Sequence, residues 1–193
     1  MSKPRLIVGV SGASGVIYAK RLIFKATEAG ADVHLVVSRA AKMTIAYELG
    51  EQADLSGASA TYAIQDVGAP IASGSFETMG MVIVPCSVRT MSEIATGVTS
   101  SLLTRAADVC LKERRPLALM VRETPFHLGH LRTMTQLAEM GAIIAPPLPA
   151  FYAEPASIEE LVDQSVGRVL DLFGLQAPGT KRWGEDLEKG KRE

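Results

Sequence analysis

The sequence predicts an α/β fold: a three-layer arrangement of one mostly parallel sheet with helices on both faces. Three observations carry this. Short runs of Val, Ile and Leu with little polar alternation recur along the chain, as in strands buried on both faces. Helix-length segments separate them, and that βαβα rhythm calls for parallel strands joined by crossover helices. The first apolar run leads into a glycine-rich turn, Gly9 to Gly15 (GVSGASG), which opens a helix-like segment. The length, 193 residues, suits one domain, expected over residues 1–174 with a charged extended tail at 175–193.

In order, the first strand is Arg5–Val10 and the first helix Val16–Ala29. A second strand, Val33–Val37, runs into a helix over Arg39–Leu49, with Ser38 as a good N-cap. Residues 50–72 are weakly patterned and hold Gly57, Gly68 and Pro70, so they read as a long connection with room for one short strand. The remaining strands are Met81–Pro85, Leu117–Val121 and Ala142–Ala145. A helix over Ser101–Arg115 is stopped by Pro116, because proline disfavours helix at the residue before it. Helices follow over His130–Met140 and Ser157–Phe173. The last opens with Ser157-Ile158-Glu159-Glu160, a capping box, and carries the apolar stripe Ile158, Leu161, Val162, Val166, Val169, Leu170 and Phe173.

Composition excludes several classes. Twenty basic and 21 acidic residues leave a net charge of −1, which favours neither nucleic acid nor an anionic membrane surface. Cys86 and Cys110 are too few for a disulfide framework or a metal site, which fits a reducing cytoplasm. The N-terminal apolar run is broken by Gly9 and Gly12, unlike a signal peptide, and no apolar stretch is long enough to span a bilayer.

Parallel sheets bind ligands at the carboxyl ends of their strands, near the switch in strand order. The first such end is the glycine turn, whose glycines let the backbone approach an anion at a helix N-terminus. Its spacing is neither the dinucleotide nor the Walker pattern, and a tight turn without ligand is the competing reading. After the second strand, the Ser38 hydroxyl either caps its helix or meets a ligand. After the third, Pro85-Cys86-Ser87-Val88-Arg89-Thr90 offers hydroxyls and backbone donors suited to a flavin edge or a phosphate, or a capped helix start. Cys86 reads as a buried structural thiol. After the fourth, Arg122-Glu123 is costly unless it is paired or serves a ligand. His127 and His130 lack the neighbours of a metal site. After the fifth, prolines stiffen a loop that presents Phe151 and Tyr152. Arg168 lies at the edge of the last helix's stripe, its head either inward or in solvent. Lys112-Glu113-Arg114-Arg115 reads as a solvated helix end.

Together these motifs resemble the UbiX-type flavin prenyltransferases, within the wider group of flavoproteins that includes the peptidyl-cysteine decarboxylases. The resemblance runs from Leu6 to about Trp183. It rests on SGASG at residues 11–15, ASGS at 72–75, PCS at 85–87, RAADVCLKERRPL at 105–117, RETP at 122–125 and PAFY at 149–152. It implies a Rossmann- or flavodoxin-like fold that assembles into a homo-dodecamer and needs no metal. It implies that the dimethylallyl group of dimethylallyl phosphate is joined to N5 and C6 of reduced FMN, and that the prenylated FMN serves a UbiD-type decarboxylase. By the same resemblance Gly12, Ala13, Ser14, Ser38, Ser87, Val88, Arg89, Thr90 and Arg122 match FMN-binding positions. Tyr152 and Arg168 match prenyl-phosphate contacts, and Ser14, Glu48, Arg105, Lys112 and Glu123 match further active-site positions.

Elementary chemistry agrees with that assignment. A departing phosphate gains charge as its C–O bond breaks, so fixed cations stabilise departure more than binding. Lys112, Arg122 and Arg168 are the candidates, with the Tyr152 hydroxyl. Glu123 or Glu48 would carry a proton, and Ser14 would relay one near N5. Tyr152 and Trp183, the latter reaching a neighbouring subunit, are candidate aromatic walls for an allylic cation. Three rivals stand beside this reading: an FMN-dependent peptidyl-cysteine-type decarboxylase, which would need a catalytic histidine; a non-catalytic flavin carrier for a decarboxylase; and a nucleotide-binding module unrelated to flavin.

Overall fold

A computed structural model describes residues 3–50 and 53–184. Six strands form one wholly parallel sheet: β1 Arg5–Val10, β2 Asp32–Val37, β3 Ala60–Tyr62, β4 Gly80–Cys86, β5 Leu117–Val121 and β6 Ile143–Ile144. Their spatial order is β3-β2-β1-β4-β5-β6, so the chain reverses its direction of travel between β1 and β4. The helices are α1 Val16–Glu28, α2 Arg39–Leu49, α3 Val88–Ala95, α4 Leu102–Lys112, α5 Leu128–Glu139 and α6 Ile158–Asp171. Every residue of β4 and β5 is buried, as their unbroken apolar runs require.

Side-chain alternation builds two cores. Leu6, Val8 and Val10 of β1 face Leu22, Ile23, Val166 and Leu170 of α1 and α6. Ile7, Met81 and Ile83 face the other way, onto Met91, Leu103 and Cys110 of α3 and α4. Gly9 shares this second face, where a Cβ would sit 2.8 Å from the Met81 Cε. Arg21 ties α1 to α6 through a bidentate pair with Asp163, both bonds 2.6 Å.

The expected layered α/β sheet is the one the chain adopts, with local differences that have physical causes. Helix α3 was not among the expected helices, because it is a short VRTMSEIA segment whose burial rests on Thr90, Met91, Ile94 and Ala95. The short strand in the weakly patterned connection is β3, an edge strand paired only with β2. Helix α4 ends before Pro116: Arg114 turns left-handed (φ 55°), and the Arg115 N–H returns to the Cys110 carbonyl at 2.8 Å, a Schellman-type stop. Ser157 does accept from the Glu160 N–H (3.1 Å), but the Glu160 carboxylate reaches Ala156 N instead, so the expected capping box is half made. The full box is at Ser101 and Thr104.

The segment after α6, expected to be an extended tail, begins instead as part of the domain. Leu175 and Ala177 are buried in the first core. Gln164 and Lys181 exchange two hydrogen bonds, of 2.7 and 2.9 Å. Residues 185–193 of that expected tail lie outside the described residues. Thr180 packs onto Gly167, where a Cβ would lie 1.9 Å from the hydroxyl oxygen. Gly167→Leu is therefore expected to lower the denaturant midpoint. Overpacking of about 1–3 kcal/mol outweighs a helix-propensity gain of about 1 kcal/mol.

Arg182 and Arg168 both bond the Asp171 carboxylate, which holds its pKa below the ordinary aspartate value. The folded state thus binds fewer protons here than the unfolded chain. This contribution is complete above pH about 3.9 and is lost as pH falls through the lower folded value. Asp171→Asn should destabilise the protein at neutral pH and flatten its stability profile in acid, as read by unfolding curves at several pH values.

Candidate active site

A cavity of about 630 Å³ lies at the carboxyl ends of the strands, over the switch between β1 and β4. Ser11 organises its floor. This buried hydroxyl donates to the Pro85 carbonyl (2.9 Å) and accepts from the Ser87 N–H (2.7 Å), locking the turn after β1 to the turn after β4. Gly12 is pressed against α2: a Cβ there would lie 2.3 Å from the Ala40 Cβ.

Gly12, Ala13 and Ser14 line the cavity, but the N-terminus of α1 does not present free donors to it. The Gly15 and Val16 N–H groups donate to the Glu48 carboxylate at 2.9 and 3.1 Å. Gly15 takes the left-handed conformation (φ 96°) that makes this turn possible. The anion expected at this helix end is therefore the protein's own.

Ser38 and Ser87 make the expected caps and also line the cavity: Ser38 accepts from Ala41 N, Ser87 from Thr90 N. Val88, Arg89 and Thr90 join the same wall. Arg89 is committed to Glu93 at 2.9 Å. Arg122 and Glu123 also line the cavity and are not ion-paired with each other. Glu123 instead accepts from Thr124 N at 2.9 Å, and Arg122 makes no ion pair among the described residues. The rest of the lining has no counterpart in the sequence reading: Arg39, Ala40, Ile64, Gln65, Glu93 and the start of α4 at Ser100, Ser101, Leu103 and Thr104. The Ser101–Thr104 cap was the one readable signal for the α4 start. Nothing local marked Ile64 and Gln65, in the connection after β3.

Five expected site residues lie off this cavity. Glu48 is on the α1 N-terminus. Arg105 bonds the Ala72 carbonyl and Asp108, and Lys112 pairs with Glu113. With Arg115, which donates to the carbonyls of Gly74 and Phe76, they clamp the ASGS loop. A Cβ on Gly74 would strike the Glu113 carboxylate at 2.1 Å, which explains glycine there. The Tyr152 hydroxyl accepts from Gln164 at 3.3 Å, and its ring meets the exposed Trp183 edge-to-face at 5.6 Å. Arg168 points outward to Asp171 at 2.5 Å, not into the core. Met43 and Tyr47 on α2 and Phe126, Leu128 and Leu131 around α5 are exposed, an unusual apolar load for a lone subunit.

Burial pushes the Cys86 and Cys110 thiols up to about 12. Neither is a nucleophile near neutral pH, and both are expected to resist thiol reagents until the protein unfolds. None of the three histidines lines the cavity. His127 caps α5 through Nδ1, accepting from Gly129 N at 3.0 Å, and its ring stacks on His130. Among the described residues no helix is long and apolar enough to cross a membrane.

The family model for Flavoprotein matches residues 1–170. The flavin prenyltransferase UbiX of Thauera aromatica is 51% identical over 187 residues, covering 96% of each chain. The crystal structure of AnUbiX (PadA1) in complex with FMN and dimethylallyl pyrophosphate superposes with a TM-score of 0.91 at 42% identity, covering 94% of this chain and 98% of that one. That of a dodecameric FMN-dependent UbiX-like decarboxylase from Escherichia coli O157:H7 superposes with a TM-score of 0.88 at 41% identity, over 93% and 98%. A PPC decarboxylase shares the fold at 20% identity, with a TM-score of 0.66.

Proposed function

The chain belongs to the flavoprotein family, as one of its UbiX-type flavin prenyltransferases, and we propose that it joins the dimethylallyl group of dimethylallyl phosphate to N5 and C6 of reduced FMN. The observation that carries this is the cavity over the strand switch, ringed by Gly12–Ser14, Ser38, Ser87–Thr90, Arg122 and Glu123. It fits FMN. Its volume falls within the roughly 300–1,000 Å³ usual for small-molecule sites. Ser14, Ser38, Ser87 and Thr90 bring hydroxyl-bearing side chains to its lining. FMN, when bound, supplies the nucleophilic nitrogen and carbon that accept the prenyl group.

The residues of this chain supply the rest. Arg122, with no acidic partner among the described residues, meets the charge that grows on the departing phosphate. Glu123, held by Thr124 N, carries a proton between the reacting groups. Ser14 supplies a hydroxyl at the cavity wall for a proton relay. We assign Arg105, Lys112, Tyr152 and Arg168 to the cavity of a neighbouring copy in a homo-dodecamer, and Glu48, bonded to Gly15 N next to Ser14, to the margin of this chain's own. The exposed apolar residues of α2 and α5 would be covered by that assembly. Trp183, stacked on Tyr152, would travel with it as an aromatic wall. The enzyme would work in the cytoplasm and pass prenylated FMN to a UbiD-type decarboxylase.

The test is anaerobic incubation with reduced FMN and either dimethylallyl phosphate or its diphosphate, followed by mass spectrometry of the released flavin. Gain of one five-carbon unit is expected. Unmodified FMN from protein that binds it would favour the carrier reading. The peptidyl-cysteine decarboxylase reading calls for a catalytic histidine, and this chain contributes none to its own cavity lining.

A further inference from the structure

We infer that Arg39, held in place by Gln65, is the cation that receives the 5′-phosphate of the flavin. The inference rests on the cavity being the FMN site. Three arginines line that cavity, and their circumstances differ. Arg89 is spent on Glu93. Arg122 stands at the end of β5 beside Glu123, where the chemistry is assigned. Arg39 stands at the end of β2, the first residue of α2, and makes no ion pair among the described residues. Its Nη2 and Nε lie 3.0 and 3.3 Å from the Gln65 side-chain oxygen, in the amide orientation that suits both groups.

That arrangement is poor as a stabilising contact and good as a receptor. The partner is a neutral amide, so the guanidinium keeps its full charge, while Gln65 fixes which way the fork faces. Gln65 follows β3, the strand outside β2, so it draws the guanidinium away from β5. Between β2 and β5 lie β1 and β4, a separation of about 14 Å at the usual strand spacing. The reaction brings two anions into the site, one on the prenyl substrate and one on the flavin. Arg122 sits with the reacting groups, and Arg39 sits at the far end with Ser38 and Gly12. The second anion is then the flavin phosphate, and Gln65 is the positioning residue that aims the fork.

The experiment compares FMN with riboflavin, which lacks only the phosphate, by fluorescence titration of the ligand-free protein. For the unaltered protein FMN should bind more tightly than riboflavin, and only FMN binding should weaken as salt is added. Loss of one charge-assisted bond predicts about ten- to a hundredfold weaker FMN binding for Arg39→Gln, with riboflavin unchanged. Arg39→Lys should fall between, keeping the charge without the fork. Gln65→Glu, which gives Arg39 a carboxylate partner beside the phosphate, should weaken FMN and spare riboflavin. Equal losses for both flavins, or no loss for either, would overturn the assignment. If the unaltered protein bound neither flavin, the FMN site itself would fail, a result distinct from either.

Discussion

Glu123→Gln is expected to slow prenyl transfer by roughly 10²–10⁴-fold while FMN still binds. The substitution keeps the size and the acceptor that bonds Thr124 N at 2.9 Å, so the cavity wall is preserved. It removes only the ability to take up and release a proton. Single-turnover rates with reduced FMN, set beside the flavin dissociation constant, separate chemistry from binding. A variant that turns over normally would take Glu123 out of proton transfer. Glu48→Gln is the informative companion. Its amide oxygen can still accept from Gly15 and Val16, so the α1 cap survives with the loss of a helix-dipole contribution of about 0.3–1 kcal/mol. A drop in rate larger than that stability change explains would give Glu48 a chemical role beyond capping. Normal turnover in both variants would overturn the proton-transfer assignment altogether.

The second large effect is expected at Gly12. A Cβ at this position would lie 2.3 Å from the Ala40 Cβ and 3.1 and 3.2 Å from the Ala40 carbonyl carbon and Cα. Backbone atoms cannot swing aside as the end of a side chain can, so Gly12→Val must push the turn after β1 away from α2. Both Gly12 and Ala40 line the cavity, together with Ser38 and Arg39 of the same segment. Flavin binding should fall below detection, with a stability loss of about 1–3 kcal/mol from overpacking. Fluorescence titration and a denaturant curve measure the two separately. Gly68→Ala is the control, because the nearest atom to its Cβ would be 3.6 Å away. Ordinary FMN affinity in Gly12→Val would show that this contact does not shape the site.

Much of the site was legible because its residues sit where strands end, and a strand buried on both faces declares itself locally. Gly12, Ser38 and Ser87 each come just after an apolar strand and before a helix; that context marked them as candidates, and the family resemblance assigned them to the site. The part of the lining that Ile64 and Gln65 contribute was illegible for the converse reason. Ile64 and Gln65 follow an edge strand of three residues, whose short, partly exposed sequence carries no pattern. Arg168 shows the limit from another side. Its position at the margin of an apolar stripe allowed an inward or an outward head, and the choice fell to Asp171 and the returning Arg182.

By itself, then, the sequence determined the parallel layered sheet, its helix starts and the loops that ring the cavity. Those features are written in short-range periodicity, capping residues and glycines. Tertiary structure alone decided who meets whom across the fold. Glu48, 33 residues beyond Gly15, takes the α1 amides. Gln65 finds Arg39 across the β2–β3 edge. Residues 175–182 fold back onto α6 instead of extending into solvent. Such pairings depend on which surfaces the packed sheet brings within hydrogen-bonding reach, a property of the closed chain that no local run of residues contains.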